Sequence, residues 1–368
     1  MQRQATQCLS NSMNTRLINI FAVAAILSAA SCSSCSKPSV PTPEPPQEID
    51  RTAFAKGADI SWVTEMESKG MKFYNAEGKE RECTALMKEI GFNSIRLRVW
   101  VNPADGWNGK EDVLAKAIRA QRLGMRIMID FHFSDTWADP AHQTVPAAWA
   151  DYDLEALVKA TGDHTTEVLK LLKDYGVEVE WVQAGNETRT GMMWPLGSYS
   201  ENGGKNYAAL TNACYDAAKA LYPDCKVIVH LDGGDNIDLY SRLFPVLNAA
   251  GGKYDIIGMS LYPCWWDNEL GDFSTNWKDS VDKCLANISS VAASYGKDVM
   301  ICEVGMPVSK PEAGKEMLTY LLEKTKALKV CKGVFYWEPE APDGYNGGYG
   351  LGAFSSGAPT IALDPFKD

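Results

Sequence analysis

The chain has 368 residues, a mass of 40.4 kDa and 45% hydrophobic residues. That length suits either two domains or one large α/β barrel, so it does not choose between them. The formal net charge of -11 argues against nucleic acid or an anionic membrane surface as a partner, because an acidic surface attracts neither.

The amino-terminal segment has the pattern of a leader. Arg16 precedes an apolar run over residues 17–27, which is too short to span a membrane. The sequence A-A-S-C at residues 29–32 is similar to a bacterial lipoprotein cleavage box, so we expect residues 1–32 to be a signal peptide and Cys32 to carry the lipid. A plain secretory signal is the alternative, since an aliphatic residue is usual three places before the cysteine. Both interpretations imply export.

A proline-rich spacer follows the leader. The predicted linker, residues 33–50, contains S-K-P-S-V-P-T-P-E-P-P-Q-E-I, a semi-extended composition that cannot pack a core. Residues 51–368 are therefore expected to form one domain. We expect this domain to be a monomer that contacts a membrane only through the lipid anchor.

Beyond the spacer, short apolar runs alternate with amphipathic segments. Eight runs are predicted strands, at residues 56–60, 94–99, 126–131, 178–184, 226–231, 256–261, 299–303 and 333–337. Seven segments are predicted helices, at residues 80–90, 112–123, 153–175, 206–221, 237–249, 277–295 and 312–328. No amphipathic segment of helical length follows the eighth strand, so we expect the last helix to be weak or missing.

This alternation predicts a single (β/α)8 TIM barrel, because eight such units over roughly 310 residues fit that fold. An open doubly wound sheet is the alternative, but no glycine-rich phosphate loop follows the first strand. A barrel builds its active site at the carboxyl ends of its strands. Those ends carry Asp59, Arg96, His132, Asp135, Trp137, Asn186, Glu187, His230, Asp232, Tyr262, Glu303 and Trp337.

Two glutamates end apolar runs on the fourth and seventh predicted strands. Glu187 closes W-V-Q-A-G-N-E, and Glu303 closes V-M-I-C-E. Retaining glycosidases need two carboxyls roughly 5 to 5.5 Å apart, one to attack the anomeric carbon and one to protonate the leaving oxygen. We therefore expect this pair to be catalytic. Strict alternation along the seventh strand would place Cys302 on the face opposite Glu303.

Six short segments of the sequence are more specific for one protein family than the two glutamates are. They are G-A-D-I-S-W at 57–62, F-N-S-I-R-L-R-V-W at 92–100, D-F-H-F-S-D-T-W-A-D-P at 130–140, Q-A-G-N-E at 183–187, S-L-Y-P at 260–263 and E-V-G at 303–305. With these segments the chain resembles the arabinogalactan endo-β-1,4-galactanases, a family of retaining (β/α)8 glycoside hydrolases. The resemblance implies endo-acting hydrolysis of β-1,4-galactosidic bonds in galactan or type I arabinogalactan, with no cofactor.

By that resemblance, Glu187 is the general acid/base and Glu303 is the nucleophile. Asn186 would bond to the sugar 2-hydroxyl, an interaction that strengthens in the transition state. Arg96 would hold Glu303 ionised by lowering its pKa, since a nearby opposite charge favours the carboxylate. Tyr262 would donate a hydrogen bond to the nucleophile. A plain ion pair inside the barrel is the alternative role for Arg96.

Other strand-end residues would support substrate binding. Trp137 and Trp337 would stack on sugar faces, with rim packing as the alternative, and His132 and His230 would donate hydrogen bonds in the pocket. Three further carboxylates are expected nearby: Asp59, Asp135 and Asp232. Aromatic residues on three loops predict the walls of an open groove, which favours endo action: Trp137, Trp265, Trp266, Tyr345 and Tyr349.

One segment departs from the family pattern. Many bacterial members carry a calcium-binding loop after the seventh strand, but here Gly305 is followed by M-P-V-S-K-P-E-A-G-K. Suitably spaced oxygen ligands are missing there, so we expect no metal at that position.

Three other functions are considered, of which two stay open. The chain could hydrolyse another β-linked polymer within the same clan, or it could be a non-catalytic glycan-binding barrel. A metallohydrolase is disfavoured, because the four histidines show neither H-x-H nor H-E-x-x-H spacing.

Overall fold

The computed structural model describes residues 49–263 and 273–367. The predicted signal peptide and nearly all of the predicted linker lie outside these residues, as do Trp265 and Trp266. Within the described ranges, every helix is too short or too polar to cross a membrane.

Eight parallel strands close into a barrel, in which each strand pairs with the next along the chain and the last pairs with the first. The strands are β1 (Ala55–Asp59), β2 (Ser94–Val99), β3 (Arg126–Phe131), β4 (Trp181–Ala184), β5 (Lys226–Leu231), β6 (Ile256–Leu261), β7 (Asp298–Val304) and β8 (Cys331–Trp337). The helices that follow the first seven strands are α1 (Cys83–Ile90), α2 (Lys110–Arg122), α3 (Leu154–Asp174), α4 (Lys205–Leu221), α5 (Ile237–Ala249), α6 (Phe273–Tyr295) and α7 (Pro311–Ala327). The predicted (β/α)8 barrel is confirmed.

Two elements begin three residues later than the sequence pattern predicts. Glu80 and Arg81 pair with residues 73–74 as a short hairpin, and α1 begins after Glu82, whose carboxylate accepts the N–H groups of Thr84 at 3.0 Å and Ala85 at 2.8 Å. An acceptor in this position satisfies free amides of the first turn and so ends the preceding extended segment. The predicted strand 178–184 pairs with β3 only from Trp181 onwards. A short helix that was not predicted, Val63–Ser68, follows β1.

Within the described residues, a four-residue α-helix, Tyr345–Gly348, is all the α-helix that follows β8, so the last helix is weak, as the sequence led us to expect. A short hairpin, Phe354–Ser355 with Ala358–Pro359, leads instead to a 3-10 helix, Ile361–Phe366. The ring centroid of Phe366 lies 4.3 Å from that of Phe92, and the Phe366 carbonyl accepts from Lys56 Nζ at 2.7 Å. These contacts tie the carboxyl-terminal segment to the base of β1 and β2.

The inside of the barrel changes from apolar to polar along the strands. An apolar layer lies toward the amino-terminal ends: Ala55, Met128, Trp181, Ile228, Ile256, Met300, Cys302 and Phe335. The Phe335 ring occupies the space beside Gly57, where a Cβ atom would overlap the ring. Toward the carboxyl ends, the buried side chains are polar and charged: Asp59, Arg96, Asp130, Gln183 and His230. The polar layer lies beneath the mouth of the barrel.

A bulge in β7 decides where Glu303 points. Met259 of β6 pairs with Ile301, yet the next residue, Ser260, pairs with Glu303, so Cys302 is an extra residue in β7. Cys302 lies in the apolar layer, while Glu303 turns to the interior polar layer and contacts Arg96. The strict alternation expected from the sequence does not hold here, because the extra residue changes the direction of the strand.

Candidate active site

A cleft of about 750 Å³ opens at the carboxyl ends of the barrel strands. Both predicted catalytic residues, Glu187 and Glu303, line it. Six other predicted site residues also line it: His132, Trp137, Asn186, Asp232, Tyr262 and Trp337. The structure therefore brings together side chains that lie at or beyond the carboxyl ends of six different strands of the barrel.

Glu187 lies three residues after the end of β4, in a strained backbone conformation. Its φ of 48° is in the left-handed region, and only 7% of the residue is exposed. Its Oε1 accepts a hydrogen bond from Ser260 Oγ at 2.6 Å. Burial raises the pKa of Glu187 well above its usual value, and the charges of Glu303 and Asp232 raise it further, whereas the hydrogen bond from Ser260 opposes them.

Glu303 lies near the end of β7 and is held by two donors. Arg96 Nη1 is 3.0 Å from Oε1, and the Tyr262 hydroxyl donates to Oε2 at 2.8 Å. Burial nevertheless raises the pKa of Glu303 to about 7, against the lowering effects of Arg96 and Tyr262. The lowered pKa expected from the sequence is therefore not found. Arg96 shares its charge with two other buried carboxylates, Asp59 at 2.8 Å and Asp130 at 2.9 Å.

Arg96 and Asp59 lie beneath the cleft and do not line it. Arg96 is fully buried, and it also donates to Asn186 Oδ1 at 2.9 Å and to Gln183 Oε1 at 3.2 Å. The Asn186 amide donates in turn to the carbonyl of Ala138 at 2.8 Å. These bonds hold Asn186 beside Glu187 with both ends of its side chain fixed.

The two predicted pocket histidines have different surroundings. His132 lines the cleft, and its Nδ1 accepts the N–H of Ala138 at 3.1 Å while its Nε2 lies 3.0 Å from Asp130 Oδ2. His230 is completely buried beneath the cleft, so it cannot donate to substrate as expected. Burial and the charge of Arg96 hold the pKa of His230 well below its usual value, which keeps the ring neutral.

The other two of the three aspartates predicted near the pocket, Asp135 and Asp232, also differ. Asp135 lies outside the cleft lining, and its carboxylate accepts the N–H groups of Asn102 at 3.0 Å and Ala147 at 2.8 Å. It therefore shapes the loop after β3. Asp232 lines the cleft and forms an ion pair with Arg189. Burial raises the pKa of Asp232 to about 6, against the opposing charge of Arg189.

Three tryptophans form an aromatic cluster at one side of the cleft. The ring centroids of Trp62 lie 5.8 Å from Trp137 and 5.2 Å from Trp337, while Trp137 and Trp337 are 6.0 Å apart. The guanidinium of Arg98 lies 4.4 Å from the Trp137 centroid, close enough for a cation–π contact. Of the two predicted wall tyrosines on the loop after β8, Tyr349 lines the cleft and Tyr345 does not.

Ten residues that line the cleft were missing from the sequence-based set, and four of them are Trp62, Asp139, Arg189 and Ser260. Ser260 could have been found, because it lies two residues before Tyr262 and alternate strand residues share a face. Arg189 carries no comparable signal, since its position depends on the fold of the loop after β4.

Among residues 49–263 and 273–367, no group of three or more His, Cys, Asp or Glu side chains is arranged to hold a metal ion.

Comparison with known proteins agrees with the geometry. The sequence profile of glycosyl hydrolase family 53 matches residues 55–353. The arabinogalactan endo-β-1,4-galactanase of Humicola insolens is 31% identical over 307 residues, which cover 77% of this chain and 89% of that protein. A probable arabinogalactan endo-β-1,4-galactanase A of Neosartorya fischeri is 32% identical over 311 residues, covering 77% of this chain and 83% of that protein.

A solved structure of a fungal β-1,4-galactanase superposes with a TM-score of 0.76 at 29% identity, and covers 86% of this chain and 99% of that chain. The resemblance seen in the six sequence segments is thus confirmed over nearly the whole barrel. The chain belongs to glycosyl hydrolase family 53 and is a glycoside hydrolase.

Proposed function

We propose that this protein is an endo-β-1,4-galactanase that cleaves galactan or type I arabinogalactan with retention of anomeric configuration. One observation carries the proposal: a single cleft holds two buried carboxyls in unlike surroundings. Glu303 has a cation and a phenol as donors, whereas among the described residues Glu187 has the hydroxyl of Ser260 as its side-chain donor. Relatives of this family named as galactanases support the choice of substrate.

The unlike surroundings assign the two roles. Glu303 loses its proton first, because Arg96 and Tyr262 stabilise its carboxylate, whereas burial and the charges of Glu303 and Asp232 raise the pKa of Glu187 well above its usual value. The two groups titrate as a coupled pair, in which the singly protonated state has a carboxylate at Glu303 and an acid at Glu187. That state is the one that a retaining glycosidase requires before its first step.

In the first step, the Glu303 carboxylate attacks the anomeric carbon while Glu187 gives its proton to the departing glycosidic oxygen. The bond from carbon to that oxygen breaks, and a glycosyl ester of Glu303 forms. In the second step, Glu187, now ionised, takes a proton from water as the water oxygen attacks the same carbon. The ester breaks, and both glutamates return to their starting states.

Substrate binding would use the aromatic cluster and Asn186. The tryptophan faces suit the apolar faces of galactosyl units, and Asn186 is held within the reach of a sugar hydroxyl beside Glu187. Cleft walls from several loops favour binding along a chain, and hence attack at internal bonds.

Incubation with linear β-1,4-galactan, cellulose and mannan tests the proposal. We expect turnover on galactan, with oligosaccharides appearing before galactose and with the β-anomer as the first product in a proton NMR time course. Release of galactose alone from the start would contradict endo action, and an α-anomer as first product would contradict retention. Faster hydrolysis of cellulose or mannan than of galactan would show that the enzyme prefers another class of substrate.

We also propose that the protein is exported and anchored to the cell envelope by a lipid on Cys32. The support is the apolar run and the A-A-S-C sequence at residues 29–32. A secreted protein without the lipid is the alternative. The folded domain is proposed to act as a monomer, which size-exclusion chromatography with light scattering would test.

A further inference from the structure

Ser260 and Tyr262 lie two residues apart around the end of β6, and each donates a hydrogen bond to one cleft glutamate. Ser260 Oγ is 2.6 Å from Glu187 Oε1, and the Tyr262 hydroxyl is 2.8 Å from Glu303 Oε2. Alternate residues of a strand share a face, so one segment of the chain donates a hydrogen bond to each of the two carboxyls. Behind Ser260 lies the buried imidazole of His230, with Nε2 at 2.8 Å from Ser260 Oγ.

The direction of the bonds behind Ser260 follows from Gln183. Its Oε1 accepts from Arg96 Nε at 3.2 Å, and its Nε2 lies 2.6 Å from Asp130 Oδ1, which as a carboxylate can only accept. The Gln183 nitrogen is therefore the donor where it lies 3.0 Å from Nδ1 of His230. A neutral imidazole that accepts at Nδ1 carries its proton on Nε2, so it donates to Ser260.

One further contact of His230 would favour the other tautomer, with the proton on Nδ1. Asn186 Oδ1 lies 3.0 Å from His230 Nδ1, and it would accept a proton from that nitrogen in the other tautomer. However, this oxygen already accepts from Arg96 Nη2 at 2.9 Å and lies 3.1 Å from the donor nitrogen of Gln183. The Gln183 nitrogen has two hydrogens, which Asp130 and His230 take in the proposed order, so Ser260 decides between the two tautomers. Its single hydrogen goes to Glu187 Oε1, so its oxygen accepts from Nε2 of His230, which therefore carries the proton. The chain of donors runs from Gln183 through His230 and Ser260 to Glu187.

We propose that Ser260, oriented by His230 and Gln183, is a positioning residue that keeps the catalytic proton of Glu187 on Oε2 and stabilises the Glu187 carboxylate between the two reaction steps. This inference rests on the proposed function, in which Glu187 is the acid/base. A hydroxyl that donates to Oε1 makes Oε1 the carbonyl oxygen of the acid, so the proton occupies Oε2. Once Oε2 has given that proton to the leaving oxygen, the same hydrogen bond becomes charge-assisted and stronger.

An uncharged donor suits an acid that must keep its proton until the substrate needs it. A cation beside Glu187 would favour the carboxylate and remove the proton too early. Arg96 contacts Glu303 directly but reaches Glu187 only through neutral side chains. The hydrogen-bond network therefore favours ionisation at Glu303 and still supplies Glu187 with one oriented donor.

The test compares Ser260→Ala with Ser260→Thr, which keeps the hydroxyl. The measurement is kcat/KM against pH on β-1,4-galactan and on a dinitrophenyl β-galactobioside, whose leaving group needs no proton. For Ser260→Ala we expect a loss of about tenfold on galactan and less than about twofold on the aryl substrate. The falling alkaline limb should move up by roughly half to one pH unit, because a bond that lowers the pKa of Glu187 is lost. Ser260→Thr should restore the activity on galactan and the parent position of the alkaline limb.

Other groups that face Glu187 do not change in these variants. They are the carboxyls of Glu303, Asp232 and Asp139, which raise its pKa, the phenol of Tyr262, and Arg189, which pairs with Asp232. A shift of the alkaline limb therefore measures the effect of the Ser260 hydroxyl on the pKa of Glu187. Equal losses on both substrates with an unmoved limb would show that Ser260 only packs, and would overturn the inference.

A second measurement needs no variant. The chain has four histidines, so nitrogen NMR of the labelled parent protein can identify the tautomer of His230. We expect the proton on Nε2, and a proton on Nδ1 would overturn the proposed direction of the bonds even if Ser260→Ala does not fold. A parent enzyme without activity on galactan would refute the proposed function instead, and the tautomer would still decide the hydrogen-bond order.

Discussion

Replacing Glu187 with glutamine tests the division of roles between the two glutamates. The variant keeps the size of the side chain and an oxygen that can accept from Ser260, but it removes the exchangeable proton. General acid catalysis contributes about 10²- to 10⁴-fold, so kcat/KM on galactan should fall by that factor. The corresponding loss of transition-state stabilisation is roughly 2.7 to 5.4 kcal/mol. A dinitrophenyl β-galactobioside should still glycosylate Glu303 at nearly the parent rate, since its leaving group needs no proton.

The pH dependence gives the sharper result. In the parent enzyme, kcat/KM should rise as Glu303 loses its proton at about pH 7, and fall as Glu187 loses its proton well above the usual range of a carboxyl. Glu187 is still neutral when Glu303 ionises, so exchanging it for a neutral amide leaves the rising limb close to its parent position. The falling limb should disappear, because the group that it reports is gone.

Initial rates on both substrates from acidic to alkaline pH provide the assay, with azide added as an external nucleophile. Azide should restore turnover of the aryl substrate in Glu187→Gln, because azide attacks the glycosyl ester without a general base. Glu303→Gln is the matched control, and we expect it to abolish turnover on both substrates. A Glu187→Gln enzyme that keeps its falling limb, or that retains galactan activity within about tenfold of the parent, would refute the assignment.

Three further predictions concern binding, stability and location. Trp137→Ala should raise KM on galactan about fivefold with little change in kcat, because a stacking face worth about 1 kcal/mol is lost; an unchanged KM would show that Trp137 only packs against Arg98. Gly57→Ala should lower the free energy of unfolding by about 1 to 3 kcal/mol in urea titrations, since its Cβ would overlap the Phe335 ring; parent-like stability would mean that the ring moves easily. Cys32→Ala should abolish partition of the full-length protein into detergent, and a parent protein found in the aqueous phase with an unmodified amino terminus would favour plain secretion.

The barrel could be predicted because its signals are local. Runs such as those of β2 and β3 have the length and composition of buried strands, and amphipathic periodicity marks the helices between them. The weak last helix was also predictable, since no such periodicity follows β8. Boundaries failed where a single side chain decides them, as where the carboxylate of Glu82 caps α1.

Much of the cleft follows from the same local pattern. A residue at the end of a barrel strand lies at the mouth whatever the details of packing, and this places Glu187, Glu303, Tyr262 and Trp337 in one cleft. The rule does not tell which strand-end residues face the substrate. Asp135 instead binds backbone amides, and His230 lies within the buried polar layer beneath the cleft.

Only the closed barrel decides the electrostatics of the site. The bulge at Cys302 turns Glu303 toward Arg96, and the pairing of β2 with its neighbours β1 and β3 brings Asp59 and Asp130 to the same guanidinium. The pKa of a buried carboxyl depends on the sum of desolvation and all neighbouring charges, and these neighbours come from strands far apart in the chain. Sequence spacing identifies the groups but not the distances between them, so the sign of the pKa shift at Glu303 follows only from the tertiary structure.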